Sequence, residues 1–267
     1  MVGLVMFETL KKSNKHFSQS QGIQFASALS YSTLLSVVPV TMVLFFLSLQ
    51  TDFFSSMFLD VREQLLTQLL PTSREQVEMY LLQTTKNVKS FSYLSILIIF
   101  LSAIWLSLGV EKSLNHIWHV QKPRTILLRV PAHMILWILT PILIMSSIAL
   151  SSWLFSLPYL SDFTDQVSFA SKLLPFFISS VALFLLYRFV PNTSVAIPNA
   201  IKAALVAGAL FEMSKWGFTI YITQFAMYEK LYGALATLPI FMLWIFISWV
   251  VVLWGASLSY TLQKQGQ

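Results

Sequence analysis

Charge is missing from this chain in long blocks. Asp, Glu, Lys and Arg are absent from Phe17 to Thr51, from Phe91 to Val110, from Val130 to Ser161 and from Leu231 to Gln263. A helix needs about 20 apolar residues to cross about 30 Å of hydrocarbon, and each block is long enough. Only 10% of the 267 residues are charged and 56% are hydrophobic, with a mean hydropathy of +0.71. A soluble domain carries about 25% charged residues because its surface must be solvated. The composition therefore excludes a soluble globule, and with it a soluble enzyme, as well as a disordered chain.

Six spans follow, at about 26–49, 91–110, 130–161, 173–190, 199–223 and 231–263. The fifth is unusual in holding Glu212 and Lys215. Loop charges orient the set. With the N-terminus inside, the inner segments carry Lys11, Lys12, Lys15, Lys112, Lys122, Arg124, Arg129, Arg188, Lys202 and Lys264. The outer segments carry Arg62, Arg74, Lys86, Lys89, Lys172 and Lys230, diluted by eight acids. The excess of inner Lys and Arg predicts that both termini are cytoplasmic. The net charge of +6 reflects this bias rather than an affinity for nucleic acid.

The fold class is thus an all-α integral membrane protein, with 1–267 as one membrane domain. Residues 1–23 form a cytoplasmic N-terminus. Within it Val2, Val5, Met6 and Leu10 share a helical face beside Lys11, Lys12 and Lys15, which suits a basic amphipathic helix on the inner leaflet. A merely solvated tail is the alternative. Residues 51–90 are too many for a structureless loop. Phe58, Val61, Leu65 and Leu69 recur at helical spacing, as do Val77, Tyr80, Leu81, Thr84 and Val88. Pro71 stops the first run and Ser73-Arg74-Glu75-Gln76 has the form of a capping box. The expectation is a periplasmic amphipathic helical hairpin between the first two spans, either a lid over a cavity or a hairpin packed on the bundle.

Chemistry-bearing residues are few. Glu212 falls close to mid-membrane, where an ionised side chain costs about 2.5–3.5 kcal/mol unless it meets a partner or water. Lys215 is on the same helical face at i, i+3, so the two can pair. Ala204 and Gly208 continue that face, and small residues at this spacing admit a neighbouring helix. Two readings stay open: a self-neutralised pair at a helix seam, or a pair lining a polar cavity for an ion, proton or headgroup. A second polar face, Trp105, Gly109, Glu111, Lys112, Asn115, His116 and His119, lies where the second span leaves the membrane. His116 and His119 have zinc-compatible spacing, yet a site needs further ligands, and His16 and His133 belong to no recognisable motif. Interfacial histidines are the simpler expectation, with no metal and no cofactor. Gly255 and Ser259 mark a close-packing face on the last span. Pro39, Pro141 and Pro239 interrupt or border spans, as in broken helices that line cavities or as plain packing kinks. No phosphate-binding glycine loop, G-x-S-x-G elbow or H-E-x-x-H motif is present, and the absence of cysteine removes thiolate chemistry.

Several blocks in order resemble the YihY/BrkB family of bacterial inner-membrane proteins over about Gln24 to Tyr260. They are Ala28-Leu29-Ser30-Tyr31 through Leu35-Ser36-Val37-Val38-Pro39, Trp105 to Asn115, and Leu186-Tyr187-Arg188-Phe189-Val190-Pro191-Asn192. Tyr232-Gly233-Ala234-Leu235-Ala236 and Leu243-Trp244 with Leu253-Trp254-Gly255-Ala256 complete the set. The resemblance implies six membrane helices with cytoplasmic termini. It implies roles linked to serum resistance, envelope integrity or export of lipopolysaccharide precursors or small solutes. Members were once labelled ribonuclease BN, a name regarded as a misassignment. Ser257 departs from the family, whose members commonly have Glu after Gly-Ala. The resulting expectation is a transport or lipid-handling protein, an exporter or flippase-like helper, with Glu212, Lys215, Tyr31, Tyr187, Arg188, Asn115 and Tyr221 as the candidate cavity residues. Its partners would be membrane lipids and a lipid or small-solute substrate. The alternative is a non-transporting scaffold for envelope assembly.

Overall fold

A computed structural model describes residues 2–48, 93–120, 164–224 and 237–266. Within them the regular structure is helical, with six helices and no strand. They are α1 (Val2–Gln19), α2 (Gly22–Ser48), α3 (Tyr93–Ile117), α4 (Thr164–Phe189), α5 (Ile197–Gln224) and α6 (Thr237–Gln265). The first, second, fourth, fifth and sixth charge-poor stretches fall on α2 to α6 in order. The third, 130–161, and the 51–90 hairpin lie outside the described residues. Among the described residues, Pro239–Gln265 alone is both long and apolar enough to cross a membrane by length and composition, with a hydropathy of 2.1.

Helix ends follow from local chemistry. Pro198 and Pro239 stand in the first turns of α5 and α6, where a missing N–H leaves nothing unpaired. Pro175 lies inside α4 and removes one rung there. A membrane helix tolerates such a loss where neighbours satisfy the freed carbonyl. The α1–α2 break is short: Gln21 takes a left-handed φ of 52°, and its N–H bonds back to Ser18 O at 3.2 Å. The end of α3 is a Schellman motif. His119 N–H bonds to His116 O at 3.0 Å and Val120 N–H to Asn115 O at 2.9 Å, with His119 itself at φ 54°.

Many hydroxyls on these helices are answered within their own helix. Ser27, Ser32, Thr33, Ser214, Thr219 and Thr261 each donate to the carbonyl four residues earlier. Such back-bonding lets a helix carry polar side chains where no water competes for them. Large apolar side chains meanwhile point outwards: Trp105 is 74% exposed and Trp216 70%. That surface would drive association in water and suits hydrocarbon.

The described contacts form two compact units. One holds α1, the start of α2, α3 from Val110, α4, α5 to Ile220 and α6 from Phe246. Its seam is built from small residues. Ala200, Ala203, Ala204 and Ala207 are all buried on one face of α5. A Cβ on Gly208 would strike the Ser180 hydroxyl of α4, and one on Gly255 of α6 would lie 2.6 Å from Ala207 Cβ. Lipid tails are as apolar as Leu, so helices in a membrane gain by close backbone approach rather than by hydrophobic burial. The Ala204–Gly208 and Gly255–Ser259 faces read from the sequence do act as close-packing faces here. The other unit holds α2 from Ala28, α3 to Gly109 and the residues from Tyr221 through α6 to Ile245. There the Ser36 hydroxyl donates to Ser32 O at 2.8 Å and reaches Ser102 O of α3 at 3.4 Å.

Candidate functional site

Glu212 is the sixteenth residue of α5 and so close to its midpoint. Lys215 Nζ stands 2.7 Å from Glu212 Oε1, with side-chain exposures of 39% and 26% respectively. The Ser179 hydroxyl of α4 donates to the same Oε1 at 2.8 Å, and the ammonium lies 5.5 Å from the Phe211 ring centre. The expected i, i+3 pair therefore forms, and it joins α4 to α5. Ser179 is the partner that sequence reasoning missed, since nothing local ties position 179 to 212. Both side chains are partly exposed, and the Ser179 contact sets the pair at the α4–α5 seam.

The second polar node lies about 12 Å farther along α4, eight residues at 1.5 Å each. Asn115 Oδ1 accepts the N–H of Asn192 at 2.7 Å, capping the chain after α4. Asn115 Nδ2 donates to Glu111 Oε1 at 3.4 Å, and both residues are buried. Tyr187 is fully buried and donates its hydroxyl to Val252 O of α6 at 2.8 Å. It therefore braces α4 against α6 rather than facing an open cavity. Arg188 closes α4, where a cation suits the carbonyl end of a helix, and its guanidinium carbon is 5.9 Å from the Phe189 ring centre. Tyr31, largely exposed, and Tyr221, half-buried, belong to the other unit. Gln263, unremarked in the sequence, grips the α4–α5 turn with both ends of its amide: Nε2 donates to Ser194 O at 2.9 Å and Oε1 accepts Ala196 N–H at 2.8 Å.

The N-terminal helix is docked, and its anchor is mostly polar. The predicted apolar face continues into Thr9, Ser13 and Phe17, all buried. The Thr9 hydroxyl donates to Gln265 Oε1 at 2.9 Å, and the Ser257 hydroxyl donates to Ser13 O at 3.0 Å. His16, which belonged to no recognisable motif, sits 2.7 Å from Ser257 Oγ through Nδ1 and 3.2 Å from His119 Nε2 through Nε2. Its ring stacks on Tyr260 at 4.2 Å. The pKa of His16 is lowered from 6.5 to about 4, first by burial and second by His119. A histidine whose docked pKa lies below its free value favours the docked state above the free value. That contribution is lost as pH falls from about 6.5 towards 4, because the released ring takes up a proton that the docked ring refuses. A nitroxide at Lys12→Cys is therefore expected to gain mobility across that interval, and His16→Gln to flatten the change. A flat profile in the parent protein would contradict docking through this ring.

The chain is similar to known proteins over nearly its whole length. Residues 14–267 match the profile of the family described as virulence factor BrkB. The chain is 34% identical to a UPF0761 membrane protein of Haemophilus influenzae over 95% of its own length and 94% of the relative's. It is 36% identical to one from Idiomarina loihiensis, covering 96% and 90%. Against one from Vibrio atlanticus the identity is also 36%, covering 91% and 78%. No solved structure matches the chain. Three of the sequence blocks that carried the resemblance meet in space: Asn115 holds Asn192, and Tyr187 reaches Val252 and Gly255.

Proposed function

This chain belongs to the BrkB family of membrane proteins, and on that premise we propose that it is a multi-pass inner-membrane transport or lipid-handling protein, an exporter or flippase-like helper with both termini cytoplasmic. The observation that carries this reading is the Glu212–Lys215 pair, held by Ser179 halfway along α5 and partly exposed. In hydrocarbon an open carboxylate–ammonium edge is costly. The exposed side must meet water, a headgroup or a polar solute, and each of these is what a transport or lipid-handling site supplies. No chemical step is needed, and the partners are lipids or small solutes rather than nucleic acid.

Complementation tests the site. The double variant Glu212→Gln/Lys215→Met removes both charges together and leaves no lone ion. Expressed at the parent level, it is expected to fail to rescue an envelope-stress phenotype. Full rescue would abandon the cavity and favour the scaffold reading. Topology is tested separately and easily, because the chain has no cysteine. Single thiols at position 267 and within 51–90 should label from opposite faces of intact vesicles.

A further inference from the structure

We propose that the Nε2 atoms of His16 and His119 form a two-histidine site for a borderline-soft divalent cation of the zinc(II) class, which pins α1 to the end of α3. The two nitrogens are 3.2 Å apart. Zinc binds imidazole nitrogen at about 2.0–2.1 Å in tetrahedral geometry, which places two such ligands about 3.3–3.4 Å apart.

Proton bookkeeping leaves the required lone pair in place. The Ser257 hydroxyl spends its only proton on Ser13 O. Its oxygen must then accept at the 2.7 Å contact with His16, so Nδ1 carries the ring proton and Nε2 is bare. A metal-bound histidine is held in the same way, by a second hydrogen bond that fixes tautomer and ring orientation.

The rings are also pre-placed. Tyr260 stacks on His16 at 4.2 Å and meets His119 edge-on at 5.4 Å. Trp118 in turn packs edge-on against Tyr260 at 5.5 Å. His119 occupies the left-handed position after α3, at φ 54°, where glycine is the usual occupant. The Ser20 hydroxyl, 3.4 Å from His16 Nε2, supplies a nearby oxygen. Among the described residues no third His, Cys, Asp or Glu joins the pair, so water completes the sphere and the site is exchangeable rather than closed.

The full chain, purified in detergent through a tag free of histidine and stripped of metal, would be titrated with zinc against a chromophoric chelator. One zinc per chain is expected, together with a rise in melting temperature. His119→Asn keeps a residue that tolerates the left-handed conformation and should weaken uptake at least about tenfold, as should His16→Gln. Ser257→Ala should weaken it about tenfold by freeing the tautomer. His116→Gln should bind as the parent does. Zinc-edge X-ray absorption of the parent protein, which depends on no variant, should show two imidazoles around the metal. No uptake, equal uptake by His119→Asn, or fewer than two imidazoles would overturn the site and leave only an imidazole–imidazole hydrogen bond.

Discussion

Replacing Gly255 with alanine is expected to destabilise the protein by about 2–5 kcal/mol, the sum of overpacking and a lost buried hydrogen bond. The added methyl would fall on the Tyr187 hydroxyl and, on its other side, 2.6 Å from Ala207 Cβ. A tip atom of a flexible chain could swing aside. The Tyr187 ring cannot, being fully buried and tied through its hydroxyl to Val252 O. Ala207 Cβ is fixed directly to the backbone of α5, so relief there means moving the helix. The result is a separation of α6 from α4 and α5 that also strands a buried phenol. Gly217 provides the control, since nothing lies within 4 Å of its Cβ position. Alanine there should be neutral or stabilising by up to about 1 kcal/mol, because it removes helix-interior glycine. Thermal or SDS-induced unfolding of the two variants measures the contrast. Equal midpoints would mean that α4, α5 and α6 do not approach as closely as the geometry requires.

What could be read in one dimension was whatever repeats along a helix. Charge-poor stretches locate helices because the hydrocarbon core penalises an ion, and the five that fall on described helices match α2 to α6 in order. The i, i+3 and i, i+4 relations also held, since helix geometry alone brings Glu212 to Lys215 and Asn115 to Glu111. Small-residue faces were legible for the same reason. What could not be read were the partners that packing selects. Ser179 reaches Glu212 across 33 positions, and His16 reaches His119 across 103. No spacing rule links such pairs, and each depends on which faces of which helices meet. Tyr187, named among the candidate cavity residues, donates its hydroxyl to a backbone carbonyl of α6, a partner that no spacing in the sequence announces. The N-terminal helix was legible as a helix from Val2, Val5, Met6 and Leu10, but its grip on α6 comes from Thr9 and Ser13, which apolar periodicity passes over.

The largest effect at the candidate site should come from separating its two charges. Lys215→Met leaves the Glu212 carboxylate, among the described residues, with the Ser179 hydroxyl, and Glu212→Gln leaves the ammonium facing the Phe211 ring. Each single variant is expected to lose about 2–3 kcal/mol of stability, the cost of an ion without its counter-ion at this depth. Partial exposure of the pair keeps the loss below that of a sealed one. The double variant removes both ions and should recover most of that loss, giving a coupling of about 1–3 kcal/mol in a double-mutant cycle. Purely additive losses would show that Glu212 and Lys215 do not pair in the membrane, whatever their separation in the helix. Joined to the complementation result, the cycle separates architecture from work. A pair that serves only to hold α4 against α5 should regain stability and function together in the double variant. A pair that meets a passing headgroup or solute should regain stability while function stays lost, because the recovered fold no longer presents the charges that the cargo must touch.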